Sequence, residues 1–147
     1  MRLAAKDYFT AGNLLSGLAT CIFAVEGDLF GALCFLFVAM AFDLLDGVIA
    51  RITRTQNAFG GAFDNVCDHM SYGIAPSFLL YAAYEPVFQN VFGESTTLSY
   101  ISAFAVASIP LVTSSLRFAR SNTFNYDISG IWLGLPRPAS AFALAAL

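Results

Sequence analysis

The sequence predicts an all-α protein, a polytopic bundle of membrane-spanning helices, on three observations. Hydrophobic residues make up 58% of the 147 and charged residues only 12%, with a mean hydropathy of +0.69. A soluble domain of this length needs a charged coat that this composition does not supply. The apolar residues lie in runs rather than in the narrow stripe of a surface helix, and a bilayer crossing needs a run of about 20. Basic residues, finally, recur only at every second connection between the runs.

Taken in order, residues 1–8 set Leu3 and Tyr8 beside Arg2 and Lys6, which suits a short interfacial helix. No small-residue cleavage site leads from there into a soluble chain, so no cleavable signal is expected. Spans are predicted over about 10–25, 29–51, 58–84 and 98–120. A fifth begins near Pro138 and runs only about ten residues to Leu147, short of a crossing. The expectation is a single membrane domain over 1–147, truncated at its C-terminal end, with about four and a half spans present. Cys21, Cys34 and Cys67 lie far apart in apolar stretches and read as free, buried thiols.

Charge sets the topology. The seven basic residues fall in three places: Arg2 and Lys6; Arg51 and Arg54; Arg117, Arg120 and Arg137. The alternate connections, Glu26-Gly27-Asp28 and 85–94, carry acids and no Lys or Arg. This is the positive-inside pattern, and it puts the N-terminus and the 51–57 and 117–137 segments in the cytoplasm of a multi-pass cell-membrane protein. Trp132 and Tyr126 read as interfacial aromatics on that side. Nothing in the charge pattern suits nucleic acid.

Four aspartates interrupt the apolar helices. Asp43 and Asp46 end the second span, and Asp64 and Asp68 begin the third. A carboxylate in a membrane helix costs several kcal/mol and is normally paired, hydrated or metal-bound. Asp43, Asp46, Gly47 and Ala50 share one helical face, and Gly60, Asp64 and Asp68 share another. A short connection makes the helices antiparallel neighbours, so the two faces can meet at the cytoplasmic end. Converging carboxylates repel unless divalent ions lie among them, and oxygen ligands select Mg²⁺, Mn²⁺ or Ca²⁺ over zinc. Four suit two ions, the arrangement that clamps an in-line phosphoryl displacement. Gly47, Ala50 and Gly60 leave room beside them, and Arg51 offers a planar fork for a pyrophosphate. Isolated aspartates can also be packing contacts, but four at these spacings with glycines and an arginine interleaved argue for a site.

Written out, Asp43-x2-Asp46-Gly47-x2-Ala50-Arg51-x8-Gly60-x3-Asp64-x3-Asp68 resembles the signature of the CDP-alcohol phosphotransferase family at every defined position. The general likeness runs from about residue 10 to residue 147. The resemblance implies six transmembrane helices, a homodimer and a polar cavity open to the cytoplasm. It implies that Asp43 and Asp64 contact both of two ions, Mg²⁺ or Mn²⁺, that Asp46 contacts one and that Asp68 contacts the other. Asp68 would also be the base for the acceptor hydroxyl. Gly47, Ala50, Arg51 and Gly60 would line the CDP-lipid site, with CDP-diacylglycerol or CDP-archaeol as donor. Asn13 and Ser16 resemble the family's N-x-x-T element, and Asn57 stands where Ser or Thr is frequent, still able to cap a helix.

The signature fixes the reaction class and leaves the acceptor open. The runs His69-Met70-Ser71-Tyr72-Gly73-Ile74-Ala75-Pro76, Arg117-Phe118-Ala119-Arg120 and Gly134-Leu135-Pro136-Arg137-Pro138 resemble members that transfer to L-serine. Ser71, Tyr72, Arg117 and Arg120 are accordingly acceptor- or phosphate-site candidates. On charge alone, Arg117 and Arg120 read equally as positive-inside anchors. His69, turned away from the Asp68 face, reads as a packing or hydrogen-bonding residue, and Pro76 as a place where the third helix kinks or adapts. Glycerol phosphate or inositol phosphate as acceptor is the alternative within the class. A divalent-cation transporter is the alternative outside it, but it would need acids continuing through the membrane.

Overall fold

The computed structural model describes residues 5–53, 58–93 and 97–123, and among them there are helices and no strands. Helix α1 is Ala5–Val25, α2 is Leu29–Thr53 and α3 is Ala58–His69. A π-helical turn over Met70–Ile74 joins α3 to α4, Ala75–Phe92, and α5 is Thr97–Thr123. Helices α1, α2 and α5 are each long and apolar enough to cross a membrane, over Lys6–Val25, Leu29–Thr53 and Thr97–Arg120. The protein is an all-α membrane bundle.

The bundle is apolar outside, and its interior mixes small apolar residues with polar ones. Phe30, Phe37, Leu44, Phe104, Ile109 and Leu116 are exposed, as suits side chains facing lipid. On α1 the buried positions are Lys6, Asp7, Thr10, Asn13, Ser16 and Thr20, a polar stripe facing the other helices, together with Gly17 and Ala24. Helix α2 answers with Ala32, Leu36, Ala39 and Asp46. Small residues bring these backbones together: a Cβ on Gly12 would lie 2.9 Å from the Phe42 ring.

The α1–α2 connection is fixed locally. Gly27 takes φ 80°, which L side chains avoid. The Asp28 N–H then donates to Phe23 O and the Gly27 N–H to Ala24 O, closing α1 in a Schellman motif. Asp28 also caps α2, its Oδ1 accepting from the Gly31 N–H at 2.9 Å. One three-residue turn therefore ends one helix, starts the next and sets them antiparallel.

Two boundaries differ from the sequence expectation. The N-terminal segment is no separate interfacial helix from Ala5 onward, because α1 runs unbroken and Lys6 and Asp7 are buried, with Lys6 Nζ 3.7 Å from Asp7 Oδ1. The helix of the third predicted span goes past residue 84, continuing to Phe92 and ending at Gly93, φ 96°. Glu85 stays helical, accepting from Gln89 Nε2 one turn on. The adaptation expected at Pro76 is the π turn just before it. Pro76 has no N–H for the Tyr72 carbonyl, and the Ala75 N–H reaches back five residues to Met70 O. Asn57, Tyr126, Trp132, Arg137 and the segment from Pro138 lie outside the described residues.

Candidate metal centre

Three of the four carboxylates converge, although α2 and α3 scarcely touch each other and both pack on α1, where a directly packed antiparallel pair was expected. One carboxylate oxygen from each of Asp43, Asp64 and Asp68 lies within 4.8 Å of the others, with Asp43 supplied by α2 and the other two by α3. Oxygens on one Mg²⁺ or Ca²⁺ are about 4–5 Å apart across the ion at ordinary metal–oxygen lengths. The donor set, three carboxylates and no nitrogen or sulfur, is of the kind that a hard divalent cation takes, at a spacing that side-chain rotation can close. Gly47, on the same face of α2, has nothing within 4 Å of where a Cβ would stand. A side chain there would meet open space.

Asp46 is oriented differently. It is buried, and its Oδ2 accepts from the Thr10 hydroxyl on α1 at 2.8 Å. The structure thus groups three of the four aspartates directly and ties the fourth to the first helix.

Two other aspartates are held from elsewhere in the bundle. Asn13 Nδ2 donates to Asp68 Oδ1 at 3.2 Å. Tyr72, in the π turn, donates its hydroxyl to Asp43 Oδ2 at 3.1 Å. Ser71 donates to the Asn13 carbonyl at 3.1 Å, and a Cβ on Gly17 would lie 2.5 Å from Ser71 Oγ, so α1 and the π turn touch closely. Ser16 is buried, its hydroxyl donating to Gly12 O within its own helix. Ala50 is half-buried, Gly60 is buried, and Arg51 is exposed in the last turn of α2.

His69 faces away from the acids, as its position beside Asp68 requires. Its ring stacks on Phe118 at 5.6 Å, with Ser114 Oγ 3.3 Å from Nδ1 and Ser115 Oγ 3.5 Å from Nε2. That joins α3 to α5. Arg117, half-buried, and exposed Arg120 follow Ser115 toward the same end of the bundle. Sequence reading passed over Asp7 and Thr10 and took Lys6 only as a basic residue at the interface. The signal was there in the spacing 6, 10, 13 and 20, one face of a helix, read instead as an apolar span with a basic anchor.

A model of the CDP-alcohol phosphatidyltransferase family matches residues 4–147. The chain belongs to that family. Curated relatives include a CDP-diacylglycerol–serine O-phosphatidyltransferase of Methanocaldococcus jannaschii, 32% identical over 142 residues, which are 97% of this chain and 59% of the relative. The protein of the same name from Helicobacter pylori strain 26695 is 34% identical over 137 residues, 92% of this chain and 53% of the relative. An archaetidylserine synthase of Methanothermobacter thermautotrophicus is 28% identical over 145 residues, 97% of this chain and 57% of the relative. This CDP-alcohol phosphatidyltransferase chain thus spans somewhat over half the length of the curated relatives it matches, and all four signature aspartates lie inside the matched region.

Proposed function

We propose that this protein transfers the phosphatidyl or archaetidyl group of a CDP-lipid to L-serine and releases CMP. The observation that carries the reading is the convergence of Asp43, Asp64 and Asp68 oxygens within 4.8 Å, beside the open space at Gly47, in a chain of this family. Serine is favoured as acceptor because relatives over nearly the whole chain carry serine in their names.

Asp43, Asp46, Asp64 and Asp68 would hold two ions, Mg²⁺ or Mn²⁺. When bound, such ions neutralise pyrophosphate oxygens and stabilise the charge on the departing phosphate, so no strong general acid is needed. Arg51, with its planar fork, binds the diphosphate, and Gly47, Ala50 and Gly60 leave room for the nucleotide. Asn13, Ser16 and Asn57 belong to the donor side in this reading; Ser71, Tyr72, Arg117 and Arg120 belong to the acceptor or phosphate side. The serine hydroxyl oxygen attacks the lipid-side phosphorus, the bond from that phosphorus to the CMP oxygen breaks, and Asp68 takes the hydroxyl proton. The active site faces the cytoplasm, where the basic ends of α2 and α5 lie on the positive-inside rule, and the working form is a homodimer.

The deciding experiment incubates membranes holding the protein with CDP-diacylglycerol or CDP-archaeol, labelled serine and Mn²⁺ or Mg²⁺. Labelled lipid and CMP are expected, lost with chelator and restored by either ion. CMP release with glycerol phosphate and none with serine would overturn the serine assignment. Ion flux into proteoliposomes without CDP-lipid would favour a transporter.

A further inference from the structure

We propose that Thr10, Asn13 and Tyr72 form a shell of neutral hydrogen-bond donors that presets Asp46, Asp68 and Asp43 for divalent-ion binding. The inference rests on reading the aspartates as an ion site. Each bond crosses between helical elements: Thr10 to Asp46 at 2.8 Å, Asn13 to Asp68 at 3.2 Å, Tyr72 to Asp43 at 3.1 Å. Thr10 and Asn13 are 1% and 0% exposed, so these are interior contacts held by packing.

Ordinary packing does not account for the pattern. A hydroxyl inside an apolar helix by default donates to the carbonyl one turn back. Ser16, Thr20 and Ser77 do so, to Gly12, Ser16 and Gly73. Thr10 has the same option at Lys6 O, 3.2 Å away, yet its oxygen lies closer to the Asp46 carboxylate. Asn13 and Tyr72 likewise spend their donors on signature aspartates. A neutral donor on one carboxylate oxygen fixes the side-chain rotamer, and so the direction of the other oxygen, without cancelling the charge that attracts the ion. A lysine or arginine in the same place would orient the group and compete with the metal.

The π turn belongs to this device. Its wider turn shifts the residues after Asp68 around the helix relative to those before it. Tyr72 thereby faces Asp43 on α2 while Ser71 holds the Asn13 carbonyl, so two of the three donors are placed or braced by these five residues. Thr10, Asn13 and Tyr72 are positioning residues: they act on the ion through the aspartates.

The test is Mn²⁺ binding to the protein purified in detergent, with no CDP-lipid or serine present, read from the electron paramagnetic resonance of free Mn²⁺. Thr10→Val and Tyr72→Phe keep shape and remove only the donor. Each should weaken Mn²⁺ binding about 10- to 100-fold, while Thr10→Ser, which keeps the hydroxyl, stays within about twofold of the unchanged protein. Thermal unfolding of each variant checks the fold, and Tyr72→Phe alone decides the matter if Thr10→Val does not fold. Unchanged Mn²⁺ affinity in the folded variants overturns the proposal, as does an equal loss in Thr10→Ser. No Mn²⁺ binding by the unchanged protein overturns it together with the ion site. Weakened binding in the variants beside a failure to use serine leaves the shell standing and removes only the acceptor.

Discussion

Asn13 on α1 reaches Asp68 on α3, its side-chain amide donating to Oδ1 at 3.2 Å across 55 residues of chain. The contact joins the first helix to the residue proposed to take the acceptor's proton. The first helix is thereby part of the site, where the signature alone would confine it to α2 and α3.

Asp68→Asn keeps the shape of the side chain and removes its basicity. CMP release should fall about 10²- to 10⁴-fold, the usual worth of a positioned general base. CDP-lipid binding should persist, because Asp43, Asp46 and Asp64 remain. Turnover near that of the unchanged protein would remove Asp68 as the base.

Two glycines separate packing from substrate room. In Gly17→Ala the new Cβ would meet Ser71 at 2.5 Å from Oγ and 2.9 Å from Cα, contacts that only a backbone shift relieves. Stability should drop by about 1–3 kcal/mol in a denaturation assay. In Gly47→Ala the Cβ meets nothing within 4 Å, so stability should hold within about 0.5 kcal/mol. If Gly47 lines the nucleotide site as proposed, the KM for CDP-lipid should nonetheless rise, since the methyl group would take up nucleotide space. An unchanged KM would place the nucleotide elsewhere.

His69→Ala removes the ring that stacks on Phe118 and lies between Ser114 and Ser115. Loss of a half-buried ring with its polar contacts costs about 0.5–1.5 kcal/mol, so the thermal midpoint should fall. Mn²⁺ affinity should not change. A matching loss of Mn²⁺ binding would bring His69 into the metal site.

Arg120→Ala distinguishes binding from membrane anchoring. If its guanidinium holds serine's carboxylate or a donor phosphate, the KM for one of them should rise about 10- to 100-fold, because charge-assisted contacts contribute about 1.5–3 kcal/mol. An unchanged KM with intact membrane insertion would leave Arg120 an anchor.

The sequence by itself determined the membrane class, the helix order and the two acidic faces. Each follows from residue chemistry and local period: apolar runs have no other stable home, and Asp43/Asp46 and Asp64/Asp68 share faces on any α-helix. The Glu26-Gly27-Asp28 segment was legible only as an acidic connection between two spans; the φ of 80° at Gly27 and the Asp28 cap, local as they are, came from the structure. Tertiary structure decided which side chains meet across helices. Thr10 turns to Asp46 and Tyr72 to Asp43 only because Gly12 and Gly17 let α1 approach and the π turn shifts the helix after Asp68. Lys6, a plausible anchor by charge, is buried because its face of α1 is the one that packs inward. Period along one helix says which residues travel together; only the packing of all the helices says what they face.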